Sequence, residues 1–177
     1  FIVNSKFSKR LTIFFFFNRF RLLVNGKKHM LNHIITTPQK PHRVVILGAK
    51  GFVGSHLLQR LEKEQITCLG LGREELDLQN PQSSSKLANI LNPLDTLVVI
   101  SAKAPCKNHQ MFLQNIEMMK NVCDALQQKV AKQVIYISSD AVYADSMEKI
   151  SEQSLAAPGS LHGVMHLARE IMLQSVL

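Results

Sequence analysis

The stretch Gly48-Ala49-Lys50-Gly51-Phe52-Val53-Gly54 decides the fold of this chain of 177 residues. It follows an apolar run, residues 43–47, that is typical of a buried parallel strand, and it opens a segment with apolar residues at helical spacing. A glycine turn between strand and helix seats the pyrophosphate of a dinucleotide, because glycines permit the tight turn, the approach of the phosphates and close packing of the helix. The other interpretation of the pattern is an ordinary glycine-rich loop.

The rest of the chain alternates apolar runs with amphipathic segments, which favours the first interpretation. We predict further strands at residues 66–72, 75–78, 96–100 and 133–138, and helices at residues 83–91, 108–128 and 160–176. The serines at 83–85 are expected to cap the first of these helices. Four of the strands are apolar throughout. This order predicts an α/β fold with a doubly wound parallel sheet, Rossmann-like, in three α/β/α layers.

In such a sheet the ligand lies at the carboxyl ends of the strands. The residues predicted at those ends are the glycine turn, Arg73, Ser101-Ala102-Lys103 and Ser138-Ser139. All are small or polar, as a cofactor crevice requires.

The net charge of +8 belongs to the first part of the chain. Nine of the 21 Lys and Arg residues lie within residues 1–43, which hold no acid. The remaining twelve lie in residues 44–177 together with all 13 Asp and Glu residues, so that part of the chain has almost no net charge. We therefore predict no nucleic-acid binding. Residues 1–42 are predicted to be a non-native or disordered basic leader, and residues 43–177 the NAD(P)-binding domain.

Several interpretations of the leader stay open. Its apolar run at residues 11–17 is far shorter than the ~20 residues that span a bilayer, so no membrane association is predicted. The basic residues before this run fit a signal peptide, and the lack of acids fits an organellar transit peptide. We favour a third interpretation, in which Met30 is the true start and the chain from Phe1 is a fragment or an over-extended reading frame.

The three cysteines are Cys68, Cys106 and Cys123, an odd number without a close pair. This pattern indicates a reducing compartment, so we expect a cytoplasmic protein.

Four features beyond the fold point to one family. They are the glycine turn with Phe52 and Val53, the segment Leu76-Asp77-Leu78, Asn115 within a predicted helix, and Tyr136-Ile137-Ser138-Ser139-Asp140-Ala141-Val142-Tyr143. With them, residues 43–177 resemble the extended short-chain dehydrogenase/reductase family, the NAD-dependent sugar epimerases and dehydratases. In that family a strand that ends in two serines before a Val-Tyr pair carries the catalytic hydroxyl, and Ser139 is the matching position.

The resemblance implies a site for NADP or NAD. The glycines bind the pyrophosphate, and Asp77 matches a carboxylate that contacts the adenine. A carboxylate at the end of the second strand binds the ribose of NAD, whereas an arginine accommodates the 2′-phosphate of NADP. Arg73 stands there and favours NADP, unless it is a solvated surface residue. The predicted cofactor residues are Gly48, Gly51, Phe52, Val53, Gly54, Arg73, Asp77, Leu78, Ser101 and Ala102.

The sequence departs from the family at the catalytic helix, where Tyr-x-x-x-Lys is expected. His162 stands at the tyrosine position and His166 at the lysine position. One interpretation is a working acid–base site with Ser139, in which His162 is the base and His166 contacts the cofactor ribose. A second is a degenerate site that binds NAD(P) without redox chemistry. A third is a metal site, since the two histidines share a helix face, but no third ligand is evident.

The resemblance implies an enzyme, an NAD(P)-dependent epimerase, dehydratase or reductase that transfers hydride to or from a hydroxyl or carbonyl carbon. Its substrate is expected to be a small molecule such as a nucleotide-sugar. The alternative is a non-catalytic NAD(P) sensor or scaffold. In the family the substrate is bound largely by the C-terminal part, which we expect beyond residue 177. Family members commonly pair through the helices predicted at residues 108–128 and 160–176, which suggests a homodimer.

Overall fold

The structure, a computed structural model, describes residues 39–147, 149–151 and 154–177. The predictions for the leader therefore fall almost entirely outside the described residues. Within the described ranges, no helix combines the length and the apolar character needed to cross a membrane.

Four parallel strands and four α-helices alternate along the described chain. In chain order they are β1 (Arg43–Leu47), α1 (Phe52–Lys63), β2 (Cys68–Leu71), α2 (Ser83–Ile90), β3 (Asp95–Val99), α3 (His109–Gln128), β4 (Gln133–Tyr136) and α4 (Leu161–Gln174). The order across the sheet is β2-β1-β3-β4. Val45 pairs with Leu69 on one side and with Leu97 on the other, so β1 is central. The predicted doubly wound parallel sheet is confirmed.

Both faces of the sheet are packed, because alternate strand residues point in opposite directions. On one face, residues such as Val45 and Leu97 pack against α2, α3 and α4, where Met119 and Leu126 are buried. On the other face, strand residues pack against α1. That cluster comprises Val44, Ile46, Ala49 and Val98, with Leu57, Leu58 and Leu61 of the helix packed against it. Burial on both sides explains why the strands are continuous apolar runs.

The strand predicted at residues 75–78 is wrong. Instead, the Leu76 N–H donates to the Gly72 carbonyl oxygen at 2.9 Å, and the Asn80 N–H to the Asp77 carbonyl oxygen at 2.9 Å. These are turn bonds within one segment, not ladder bonds between strands. Leu76 and Leu78 are both buried, so the alternating pattern came from two leucines that anchor a loop to the core.

The predicted serine cap of α2 is also wrong. The N-cap is Gln82, without a side-chain hydrogen bond, and Ser83 and Ser84 lie inside the helix, buried. The two longest helices, α3 and α4, do have side-chain caps. Asn108 accepts from the Met111 N–H at the start of α3, and Ser160 accepts from the Gly163 N–H at the start of α4.

An ion pair joins β1 to β3 at their amino ends. Arg43 Nη2 lies 2.5 Å and Nε 2.9 Å from the two carboxylate oxygens of Asp95, which is fully buried. Burial alone would raise the pKa of Asp95, but the hydrogen bonds from Arg43 and from the Asn92 N–H outweigh it and lower the pKa. This bidentate contact holds the register of the two strands whose opposite ends form the site described next.

Candidate active site

The winding direction of the sheet reverses between β1 and β3, and the carboxyl ends of these strands leave a crevice there. Gly48 follows β1, and Ser101 lies just after β3. A Cβ on Gly48 would come within 2.9 Å of the Ser101 backbone nitrogen, and Gly48 has a φ of +92°. Both facts require glycine, so the turn predicted at this position has a steric and a conformational cause.

Gly54 and Gly51 differ in their surroundings. A Cβ on Gly54 would lie 2.1 Å from the Gly48 carbonyl oxygen, so α1 packs against the turn only because Gly54 has no side chain. A Cβ on Gly51 would meet only that same oxygen, at 3.4 Å, and is otherwise in open space. Gly51 is the N-cap of α1, and no side chain caps that helix end. The open space beside Gly51 at the N-terminus of α1 is called the cradle below. Unsatisfied N–H groups beside such a space suit a phosphate.

The two apolar residues of the motif lie at the rim of this cradle. Phe52 is 82% exposed, and its ring centroid lies 4.6 Å from that of His56. Val53 is half-buried. Their backbone begins the first turn of α1, which is where a phosphate would meet the helix.

Arg73 and Asp77 lie in the loop after β2 and contact one another. Arg73 Nε is 3.3 Å from Asp77 Oδ2 in an exposed ion pair. The Gln79 N–H, and after it Arg73, lowers the pKa of the Asp77 carboxyl. Leu78 is different, because its side chain is buried in the core and only its carbonyl oxygen is engaged, by Asn121 Nδ2 at 2.8 Å. Two predicted cofactor residues are thus brought together, and the side chain of a third is turned away.

Lys50 joins the glycine turn to the same loop. Its Nζ lies 2.5 Å from Glu74 Oε2 and 2.8 Å from Glu75 Oε1. The Gly72 N–H donates to Glu75 at 2.9 Å. Sequence reasoning treated Lys50 only as a spacer between glycines and missed these contacts. Both cations near the predicted ribose position, Lys50 and Arg73, are therefore already paired with carboxylates.

Asn115 holds the loop that follows β3. Its Oδ1 accepts from the Lys103 N–H at 2.8 Å, and its Nδ2 donates to the Lys103 carbonyl oxygen at 3.0 Å. The side chain is fully buried in α3. Ser101 and Ala102, both half-buried, stand at the start of this loop. A paired backbone contact of this kind fixes their position beside the glycine turn.

Ser139 follows the carboxyl end of β4. It is the N-cap of a short 3₁₀ helix, Asp140–Val142, and its Oγ accepts from the Ala141 N–H at 3.2 Å. The same hydroxyl donates to Asp140 Oδ1 at 3.2 Å. Its position is therefore fixed by local bonds.

Gly163 is a site-forming residue that sequence reasoning missed. A Cβ on it would lie 2.0 Å from the Ala141 carbonyl oxygen, so the first turn of α4 touches the 3₁₀ helix only because Gly163 lacks a side chain. This contact brings the segment of Ser139 next to the helix turn that carries His162. A lone glycine inside an amphipathic helix pattern was the available signal.

His162 and His166 lie one helical turn apart on α4, with ring centroids 4.7 Å apart and nearly perpendicular rings. His162 Nδ1 accepts from the Cys106 N–H at 3.3 Å. His166 is buried, and its Nδ1 lies 2.6 Å from the Tyr136 hydroxyl oxygen. Burial, and then Arg169, lowers the pKa of His166 from 6.5 to about 3. The lysine position of the family is thus occupied by a neutral side chain that faces the sheet.

Arg169 is the charged residue that the sequence reasoning overlooked. It is fully buried, its Nη2 donates to the Ser101 carbonyl oxygen at 2.7 Å, and its guanidinium lies 5.1 Å from the centre of the Tyr136 ring. Its Nε and Nη1 have no hydrogen-bond partner among the described residues. Burial lowers the pKa of Arg169 and raises that of Tyr136 to about 12. Its helical spacing from His166 was the signal that could have placed it on the buried face.

Ser138, just after β4, and Glu170 on α4 form a further, partly buried contact, in which the Ser138 hydroxyl donates to Glu170. Across the described ranges, no cluster of three His, Cys, Asp or Glu side chains could hold a metal ion. The histidine pair therefore stands without a third ligand there.

Known proteins resemble the chain in both sequence and fold. The uncharacterized UDP-glucose epimerase YtcB of Bacillus subtilis (strain 168) is 22% identical over 156 residues, covering 72% of this chain and 49% of that protein. The dTDP-4-dehydrorhamnose reductase of Bacillus anthracis str. Ames, solved with NADP, has a TM-score of 0.67 at 23% identity, covering 79% of this chain and 51% of that one. MoeE5, solved with UDP-glucose and NAD, has a TM-score of 0.66 at 25% identity, covering 76% and 48%.

The chain spans about half the length of these relatives. The family model for the NAD dependent epimerase/dehydratase family matches residues 44–176, which is nearly the whole of the described domain. This chain therefore belongs to the NAD dependent epimerase/dehydratase family.

Proposed function

We propose that the protein is an NAD(P)-dependent epimerase, dehydratase or reductase that acts on a hydroxyl or carbonyl group of a nucleotide-sugar. The observation that carries this proposal is the open cradle at Gly51, beside the uncapped end of α1 and at the switch point of the sheet. The cofactor, when bound, supplies or accepts the hydride. Nucleotide-sugars are proposed because relatives are named for them, and one was solved with UDP-glucose.

The residues that would hold the cofactor fit a dinucleotide. The glycine turn and the first N–H groups of α1 would bind the pyrophosphate. Asp77 and Arg73 stand where the adenosine end is expected, and Ser101 and Ala102 border the crevice beside the turn. Relatives of this fold were solved with NADP and with NAD. We therefore propose that the chain binds one or both.

Ser139 and His162 are the side chains proposed to meet the reacting oxygen of the substrate. Ser139 presents a hydroxyl fixed by its own turn, and His162 presents an imidazole from the adjoining turn of α4. His166 contacts Tyr136 and supplies no charge, because it is neutral. We propose that its role is to place the ring of His162 and not to bind the ribose.

One observation favours the second candidate, an NAD(P) sensor or scaffold without turnover. The family's lysine would be a cation, whereas the described chain offers a neutral His166 and a fully buried Arg169 at this place. A site without an accessible cation could bind the cofactor and leave the substrate unchanged.

The two functions are separated by assaying the full-length protein with NAD⁺ or NADP⁺ and a panel of UDP- and dTDP-hexoses. We expect reduced cofactor to form, or the sugar to change configuration as seen by proton NMR. Ser139→Ala should lower the rate by roughly 10² or more, because it removes a positioned hydroxyl. Ser138→Ala is the matched control, since that hydroxyl contacts Glu170. Cofactor binding without turnover on any sugar would establish the sensor instead.

Arg73 is expected to favour NADP. A guanidinium–phosphate contact is charge-assisted, so Arg73→Ala should weaken NADP binding roughly tenfold to a hundredfold and leave NAD binding nearly unchanged. Isothermal titration with each cofactor measures this. The control is Arg60→Ala, because Arg60 forms a similar ion pair with the carboxylate four residues on, far from the turn. Equal losses for NADP and NAD would remove Arg73 from the site.

We further propose that α3 and α4 form a homodimer interface, because these adjoining helices expose apolar side chains. Leu113 on α3 is exposed, and so are Val164 and Ile171 on α4. The three cysteines of the described chain are free, which favours a reducing compartment such as the cytoplasm.

A further inference from the structure

The contact between Cys106 and His162 has a direct chemical consequence. A backbone N–H is always a donor, so the Nδ1 atom of His162, 3.3 Å from the Cys106 nitrogen, must accept with its lone pair. A neutral imidazole carries one proton, which then resides on Nε2. The backbone of the loop after β3 thereby selects one tautomer of the ring.

The position of His162 in α4 explains how the ring reaches this loop. It is the second residue of the helix, two after the N-cap Ser160, and its ring contacts the loop after β3. The Cys106 N–H would face a second N–H if Nδ1 carried the proton, so this contact favours the tautomer with its proton on Nε2.

We infer that His162 is a hydrogen-bond donor whose Nε2–H holds and polarises the reacting oxygen of the substrate, and is not the base that removes its proton. This inference rests on the proposed function. A base at Nε2 needs a lone pair there, which would move the proton to Nδ1 against the Cys106 N–H and lose that bond. The general base predicted from the sequence at this position is therefore replaced by a polarising donor, as in an oxyanion hole.

The proton of a substrate hydroxyl then needs another acceptor. The Ser139 hydroxyl already donates to Asp140 Oδ1, and Asp140 is exposed. The substrate proton passes to Ser139 Oγ as the proton of that hydroxyl passes to Asp140 Oδ1, and from there to water. In the opposite direction each transfer is reversed, so a substrate oxygen regains its proton from Ser139.

The tautomer is tested by nitrogen NMR of the 177-residue chain labelled with ¹⁵N-histidine, at pH 7.5. A protonated ring nitrogen and one with a lone pair have well separated shifts. We expect His162 to show protonated Nε2 and unprotonated Nδ1, with its signals identified by their loss in His162→Gln. Nδ1 protonation, a doubly protonated ring or an equal mixture of tautomers would each overturn the inference.

His56 provides an internal control with the opposite expectation. Its Nδ1 lies 2.8 Å from the Phe52 carbonyl oxygen, which can only accept, so its proton belongs on Nδ1. The two histidines should therefore give reversed patterns in one spectrum, and His56→Gln identifies the second set of signals.

The donor role is tested by turnover of the full-length protein. Glutamine at position 162 keeps an N–H donor but cannot act as a base, so His162→Gln should retain activity within about tenfold. His162→Ala should lose roughly 10²–10³ in kcat, the usual worth of an oxyanion donor. Equal losses for both variants would overturn the donor role. If the unsubstituted protein shows no turnover on any sugar, the proposed function fails, while the spectrum still decides the tautomer.

Asp140→Asn tests the route of the proton. It should lower kcat by roughly 10² with little change in KM, because the last acceptor is lost. Asp145→Asn, a nearby exposed carboxylate, is the matched control. Full activity of Asp140→Asn would remove this route.

Discussion

Replacing Gly51 with valine should abolish cofactor binding while the domain remains folded. The fold tolerates the change, because Gly51 has φ −78° and ψ 169°, a conformation that β-branched residues adopt readily, and a Cβ there has open space. The cradle does not tolerate it, since the branched side chain would fill the space beside the helix N-terminus. We expect affinity for NADP and NAD to fall at least about a hundredfold, or ~2.7 kcal/mol, by isothermal titration.

Two controls make this result specific. Circular dichroism and urea unfolding should show a folded chain. Its free energy of unfolding should be lower by about 1 kcal/mol or less, because valine is a poorer N-cap than glycine. Gly159→Val is the matched substitution, because a Cβ at Gly159 meets only Asp145 Oδ2, at 3.7 Å. Retained affinity in Gly51→Val would mean that the turn is structural only and would remove the observation that carries the proposed function.

Acid should destabilise the domain through His166, at pH values well above those at which carboxylates titrate. The unfolded chain takes up a proton on this residue near pH 6.5, whereas the folded chain resists until about pH 3, because burial and Arg169 lower the pKa. Between these values the unfolded state binds more protons, so the free energy of unfolding falls as pH falls, by ~1.4 kcal/mol per pH unit. From pH 7.5 to pH 5 we expect a loss of about 2 kcal/mol from this group.

His166→Gln isolates the contribution, because glutamine does not titrate and its carbonyl can still accept from the Tyr136 hydroxyl. We expect urea unfolding of the 177-residue chain at both pH values to show this in the free energy of unfolding. From pH 7.5 to pH 5 it should decrease by about 2 kcal/mol less in the variant than in the unsubstituted chain. His56→Gln, at an exposed position on α1, should behave like the unsubstituted chain. An identical pH dependence in all three proteins would mean that His166 is accessible to protons, contrary to its burial.

The periodicities of the sequence were sufficient for the layered α/β fold. Apolar runs of strand length between amphipathic segments determine a parallel sheet covered on both faces, and Gly48 and Gly54 determine a tight turn in which a larger side chain would clash. These are local signals, since each depends on neighbours in the chain. The same locality explains the error at residues 75–78. Leu76 and Leu78 alternate with polar residues as in a strand. Whether such a segment joins the sheet depends on a neighbouring strand with a free edge, and a local sequence pattern holds no information on that.

The chemistry of the site was decided by the tertiary structure. The sequence placed His162 and His166 one helical turn apart and Ser139 after a strand, and so identified the candidate catalytic side chains. It held no information on which atoms face them, because Cys106 is 56 residues from His162 and Tyr136 is 30 residues from His166. Proton positions and pKa values depend on those long-range contacts and on burial, so the tautomer of one histidine and the neutrality of the other emerge only when the chain has folded.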